Sequence, residues 1–139
     1  MESLKRFLDA HEQHFGKAWT EIKYGKKLSH WMWYIFPQVK GLGLSETSKY
    51  YALENLGEAK QFLEHPILGS NLLSITAELL KLKTNNATEV FGKPDDMKLL
   101  SSMTLFSLVP GASAVFKEVL DKYFEGKQDL QTVKLAGTV

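Results

Sequence analysis

The sequence predicts a single all-α domain over residues 1–139, made of about seven or eight short helices. Three observations carry that expectation. Apolar residues recur at helical spacing in nearly every segment between breaks marked by Gly, Pro and Asn. Strand-like alternation over several residues is convincing nowhere, and "WYIFP" is the one serious strand candidate. The composition, 44% hydrophobic and 24% charged, is that of a folded globular chain long enough to bury a core without staples. No linker or repeat divides it.

The elements follow in order from spacing and caps. Leu4, Phe7, Leu8, His11 and Phe15 share one helical face, with Ser3 placed as N-cap. Gly16 is expected to interrupt, leaving Ala18, Trp19 and Ile22 to a second short helix. In "LSETSKYYAL" Ser45 is positioned to cap a short helix. "GEAKQFLEH" forms another, which ends before Pro66 because a residue preceding proline avoids helical geometry. The longest clean pattern is Leu68, Leu72, Ile75, Leu79 and Leu82, an apolar face kept through about four turns. "KTNNATEVFGK" breaks it, with Asn85 or Asn86 as a C-cap or turn residue. In "KPDDMKLLSSMTLFSLV" Pro94 suits a first helical turn, and Asp95 and Asp96 lie against the positive end of the helix dipole. "PG" at 110–111 stops that helix. Ser113 or a neighbour starts the next, which carries Val115, Phe116, Val119, Leu120, Tyr123 and Phe124; Gly126 ends it, and "QDLQTVKLAG" is a last short helix.

Seventeen basic and sixteen acidic side chains leave a formal charge of +1. That gives no global drive toward nucleic acid or an anionic membrane, although it leaves room for a local patch. The absence of cysteine removes disulfides, thiolate metal sites and cysteine nucleophiles together. The amphipathic N-terminus lacks the apolar run of a signal peptide, and no apolar stretch approaches the roughly 20 residues that cross a bilayer. A cytoplasmic protein is expected. Catalytic constellations are sparse. His11 and His14 stand one turn apart with no further ligand evident, and the serines lack a nucleophile elbow. His65 before Pro66 reads as a helix-end residue whose positive form suits the dipole, and Asp95 and Asp96 need no magnesium to explain them. No metal and no cofactor are expected.

"SHWMWYIFPQVKGLG", residues 29–43, asks for more than this. Trp31, Met32, Ile35 and Phe36 are expected in the core, where each burial contributes roughly 1.5–3 kcal/mol. The core does not need the polar edge around them: His30 ahead, Gln38 behind, then Lys40 with Gly41 and Gly43, whose amides suit an anion or a carbonyl. Neither P-loop nor dinucleotide-fingerprint spacing is present, and a plain turn is the simpler account of the two glycines. In "KLLSSMTLF" Lys98, Ser101 and Ser102 share a helical face. A solvated face with two small residues is the plainer account there. The sharper one has Lys98, Ser102 and Thr104 meeting the His30–Gln38 segment across an aromatic-walled pocket, with His30, Gln38 and Ser102 lining it together. The candidate ligand-binding set is therefore His30, Trp33, Gln38, Lys40, Gly41, Gly43, Lys98 and Ser102.

"GKKLSHWMWYIFPQVKGLGLSETSKYYAL", "EAKQFLEHPILGSNL", "VFGKPDDMKLLSSMTLFSLV" and "FKEVLDKYFEGKQDLQTVKL" resemble the successive signatures of a small bacterial family, known as domain of unknown function 1810, over nearly the whole chain. HWMW-x-IFPQ and SSMTLF are the most distinctive blocks. The resemblance implies a compact, mostly helical, intracellular single domain with no established reaction. Some members carry the label calpastatin, an inhibitor that is a disordered polypeptide, whereas this chain has the composition of a folded one. A looser likeness, in the order "FPQV … SETSKYYA … GEAK … DDMKLLSSM … LDKYF", is to the helical NAD- and ADP-ribose-associated hydrolases. Their acidic residue before "HAYQ" is not reproduced in register, and Glu46 is the nearest candidate.

Two function classes remain. The first is a site for a nucleotide-like or ADP-ribose-like small molecule, with hydrolysis as an extension; aromatic walls would stack a base while loop amides and Lys40 meet a phosphate. The second is a non-enzymatic interaction module, whose aromatic block meets a protein partner or a second copy. A ligand site requires a concave pocket at His30, Gln38 and Ser102. An interface requires Trp31 or Trp33 on a flat exposed surface.

Overall fold

In the computed structural model, which describes residues 4–137, the first apolar stripe forms one helix rather than two. That helix, α1 (Lys5–Lys23), runs through Gly16 without a break. Glycine in a helix interior costs only about 1 kcal/mol relative to alanine, and the buried face of Phe7, Ala10, Ala18 and Ile22 outweighs it. The expected Ser3 cap lies outside the described residues. The strand candidate is also helical: α2 (Met32–Ile35) is a single turn. Ser45 caps α3 (Glu46–Tyr50) as expected, its Oγ accepting the Ser48 amide at 3.1 Å. α4 (Leu56–Glu64) opens on two side-chain caps. Asn55 Oδ1 accepts the Glu58 amide at 3.0 Å, and Glu58 Oε1 accepts the Glu54 amide at 2.9 Å.

α4 stops where the sequence predicts, with His65 in extended backbone before Pro66. The His65 ring does something other than meet the α4 dipole as a cation. Its Nδ1 accepts the Ile67 and Leu68 amides, at 3.1 and 3.3 Å, at the start of α5 (Leu68–Lys81). Asn86 likewise starts a helix instead of ending one: its Oδ1 accepts the Thr88 and Glu89 amides at the head of α6 (Ala87–Phe91). Five residues are too few to show a periodic stripe, so this helix was not expected. α7 (Asp95–Ser107), α8 (Val115–Phe124) and α9 (Leu130–Ala136) complete the chain. The described residues thus hold nine helices, more than the seven or eight expected, and no strand beyond an isolated bridge between Val39 and Leu53. None of these helices is long and apolar enough to cross a membrane.

α5 and α7 are the two hubs. α5 packs on α1, α4 and α8, while α7 packs on α4, α6, α8 and α9. Because α7 is surrounded, every residue from Ser101 to Phe106 is buried, which corrects the expectation of a solvated face at "SSMTLF". Ser101 Oγ donates to Asp129 Oδ2 at 2.8 Å, and the Asp129 amide donates to Thr104 Oγ1 at 3.0 Å, so these hydroxyls fasten the start of α9 to α7. A spine of phenylalanines crosses the core: Phe7, Phe62, Phe106 and Phe116, with successive ring centroids 5.2, 5.6 and 5.6 Å apart. The last turn of α8 closes the end of α5. Tyr123 Oη donates to the Leu79 carbonyl at 2.6 Å, and Lys122 Nζ donates to the carbonyls of Leu80 and Leu82.

Candidate functional site

The aromatic block divides in two. Trp31, 1% exposed, goes inside with Met32, Ile35 and Phe36, and its ring meets those of Phe36 and Phe91 at 6.2 and 6.4 Å. Trp33 stays half-buried. It walls a cleft of about 340 Å³ whose other lining residues include Lys27, Leu28, His30, Lys93 and Asp95.

One wall of this cleft is the loop between α1 and α2, and a single carboxylate holds it. Glu21 accepts the Leu28 amide at 2.7 Å, the Ser29 amide at 3.0 Å, the Ser29 hydroxyl at 2.6 Å and the Trp31 indole N–H at 2.8 Å. Burial alone would raise the Glu21 carboxyl. The hydrogen bonds from the Ser29 hydroxyl, the Leu28 amide, the Trp31 indole and the Ser29 amide outweigh it and hold the group down at about 2. The opposite wall is the start of α7. Asp95 pairs with Lys27 at 2.8 Å and with Lys98 at 3.5 Å. Each lysine also lies against an indole: Lys27 Nζ is 5.1 Å from the Trp31 ring, and Lys98 Nζ is 5.5 Å from the Trp33 ring. Asp96 is taken up by the Thr88 hydroxyl at 2.6 Å and by the Met97 amide at 2.8 Å. The side chains of His30 and Lys93 are different. Among the described residues neither has a hydrogen-bond, ionic or ring partner, and both face the cleft as lining residues.

Of the eight candidate residues, three converge here: His30 and Trp33 line the cleft, and Lys98 lies against its Trp33 wall. Lys40, Gly41 and Gly43 line another cleft of about 270 Å³, with Leu44, Lys49 and Ala52. Both glycines have packing reasons. Gly41 has φ +108° and a Cβ on it would come within 3.2 Å of the Leu135 methyls, and a Cβ on Gly43 would come within 2.3 Å of Ser48 Cβ. Lys40 pairs with Glu54 at 3.2 Å. Gln38 is half-buried, and its carbonyl accepts the Leu53 amide at 2.9 Å. Ser102 is enclosed within α7, its Oγ without a hydrogen-bond partner among the described residues, so it reaches no surface cleft.

Sequence reasoning missed Glu21, Lys27 and Lys93. A signal was present for Lys27: from Ile22 to Ser45 the chain holds four lysines and no acidic residue. A larger groove of about 560 Å³, between α1 and the start of α5, is lined in part by His11, Phe15 and Asn71. Two of its polar side chains, His11 and Asn71, are already engaged. His11 Nε2–H donates to the Tyr34 carbonyl at 2.8 Å, and Asn71 donates to His11 Nδ1 at 3.0 Å. Burial outweighs the Tyr34 bond and pushes the His11 ring down to about 4, leaving a neutral histidine with both nitrogens occupied.

Fold and cleft together define a small all-helical domain with a basic, aromatic-walled depression at the junction of its first loop and its central helix. The chain belongs to the family described as "Protein of unknown function (DUF1810)", whose model matches residues 1–136. It is similar in structure to the conserved hypothetical protein Rv1873 from Mycobacterium tuberculosis, at 39% identity, covering 98% of this chain and 97% of that one with a TM-score of 0.94. No curated protein matches the chain.

Proposed function

We propose that the Trp33 cleft binds a nucleotide-like small molecule, an anion carrying a flat ring. The observation that carries this reading is the conjunction of a half-buried indole with two polar side chains, His30 and Lys93, that have no partner among the described residues. A base would lie along Trp33, and a phosphate would take Lys93 and His30 as donors. Stacking contributes about 1–3 kcal/mol and a charge-assisted hydrogen bond about 1.5–3 kcal/mol. The concave, basic setting of Trp33, with Trp31 buried beneath it, favours a small anionic ligand over a flat protein interface.

Binding is proposed rather than hydrolysis. A general base works when a second group orients it, and among the described residues no side chain orients His30. Asp95 is held between Lys27 and Lys98, and Glu46 is not among the residues lining the cleft.

A thermal-shift titration with AMP, ADP, NAD and ADP-ribose tests the reading. Ligand at about 100 times its Kd stabilises by roughly 2.7 kcal/mol, an increase in Tm of about 10 °C at roughly 4 °C per kcal/mol. Trp33→Ala and Lys93→Ala should remove the shift without unfolding the protein, since neither side chain is in the core. No shift with any of the four, or an undiminished shift in both variants, refutes the proposal.

A further inference from the structure

The longest acid-free stretch of the chain, Ile22 to Ser45, begins on the loop that forms one wall of the cleft. That loop leaves two large apolar side chains in solvent: Tyr24 is 80% exposed and Leu28 is 75% exposed. Leu28 lines the cleft, and two and four residues before it in the chain stand Lys26 and Tyr24, both exposed. On the last turns of α1, Lys23 Nζ lies 5.2 Å from the Trp19 ring. From Tyr24 to His30 the chain can extend at most about 22 Å. Glu21, the acidic residue at the start of this track, is buried and spends its carboxylate on four hydrogen bonds. On a chain whose net charge is only +1, two exposed lysines, Lys23 and Lys26, flank one exposed ring, Tyr24, with the partly buried Trp19 beneath Lys23. That pattern suits successive bases on aromatic platforms with backbone phosphates between them. A free mononucleotide would occupy the cleft and leave this track unused.

We infer that the occupant of the Trp33 cleft is the end of a single-stranded nucleic acid, whose next nucleotides run along residues 23–28 with a base on Tyr24 and phosphates at Lys26 and Lys23. This rests on the cleft being a nucleotide site, and it names the polymer as the ligand class. No base-edge readout is implied, because stacking and phosphate contacts are tolerant of sequence.

The test compares a fluorescein-labelled oligodeoxythymidine of about 10 residues with thymidine monophosphate, by anisotropy and competition. The oligonucleotide should bind at least about tenfold more tightly, and its log K should fall with log salt at a slope of about −2.1, for three phosphates neutralised at Lys93, Lys26 and Lys23. Tyr24→Ala should weaken oligonucleotide binding about tenfold and Lys26→Ala should flatten the slope by about 0.7, while both leave the mononucleotide affinity unchanged. Both side chains are exposed, so neither change threatens the fold. A mononucleotide that binds with no gain for the oligonucleotide overturns the inference and leaves the cleft reading standing. Oligonucleotide binding indifferent to both variants also overturns it. Binding to phosphatidylserine vesicles in place of the oligonucleotide, lost in Tyr24→Ala, would make the loop a lipid contact instead. If neither nucleotide nor oligonucleotide binds, both readings fall together.

Discussion

Replacing Glu21 with glutamine tests whether one buried carboxylate holds the cleft loop in place. The side chain keeps its size and one acceptor oxygen, but loses its charge and turns an amide N–H₂ toward a shell of donors: two amides, a hydroxyl and an indole N–H. The carboxyl is held at about 2 in the fold against an ordinary value of 4.5. That difference corresponds to about 3 kcal/mol of stability at neutral pH, and in urea denaturation it should lower the midpoint by about 1–3 M. The pH dependence separates this from a packing defect. Because the folded carboxyl titrates below the unfolded one, the unfolded chain binds more protons in acid. The contribution is therefore complete above about pH 5 and is lost as pH falls toward 2. The gap between wild type and Glu21→Gln should narrow by about 1–1.5 kcal/mol between pH 7 and pH 3.5. Titration of His11 is common to both proteins and cancels in that difference. A gap below about 1 kcal/mol at pH 7, or one that is flat with pH, would refute the clamp.

Gly16→Ala should raise stability by about 0.5–1 kcal/mol, read as a higher Tm, since Gly16 is in mid-helix and a Cβ there would meet nothing within 4 Å. Gly69→Ala should cost about 1–3 kcal/mol or more, because its Cβ would fall 2.0 Å from the Leu63 carbonyl oxygen where α5 crosses the end of α4; an unchanged denaturation midpoint would contradict that crossing. His11 is held neutral by burial, so between its ordinary 6.5 and its folded value of about 4 the unfolded chain binds the extra proton and stability is lost as the pH is lowered. Wild type should lose about 2 kcal/mol between pH 7 and pH 5 that His11→Gln does not lose, measured by urea denaturation at both pH values. Trp31→Ala should cost about 3–5 kcal/mol. Trp33→Ala should cost clearly less, and equal losses in calorimetry would mean that Trp33 is core after all.

The elements legible in the sequence were those that print a pattern. α5 and α8 carry apolar stripes long enough to be read, and Ser45 and Pro66 mark a start and a stop by local chemistry alone. What failed was local chemistry overruled by, or dependent on, tertiary packing. Gly16 looks like a break until the buried residues on either side of it are seen to belong to one face. α6 has too few residues for a stripe, and His65 and Asn86 could cap either of two helices with nothing nearby in sequence to choose between them. The seryl pair of α7 resembles a polar face because its partner, Asp129, lies 28 residues from Ser101. Of the site, the aromatic block was legible and its polar companions only partly so. Lys93 and Asp95 arrive from a segment more than fifty residues beyond His30, and Glu21 precedes the block and bonds into it.

The division within the block follows from helical geometry. At about 100° per residue, Trp31, Met32, Ile35 and Phe36 occupy an arc of roughly 140°, one face of a turn. Tyr34 lies outside that arc and is buried nonetheless, its ring 5.7 Å from His14 of α1 and 5.1 Å from Tyr51. Trp33 points about 130° from the centre of the arc, and no helix of the fold covers it fully. The residue at 33 is left at the edge of the core, half-buried against it, where a lysine or glutamate would expose less apolar surface. A tryptophan at that position is explained by what it faces: Lys98 against its ring, and His30 and Lys93 without partners across the cleft. Burial accounts for Phe36 and its neighbours on the inner arc, and the half-buried Trp33 beside His30 and Lys93 is what supports the ligand site proposed above.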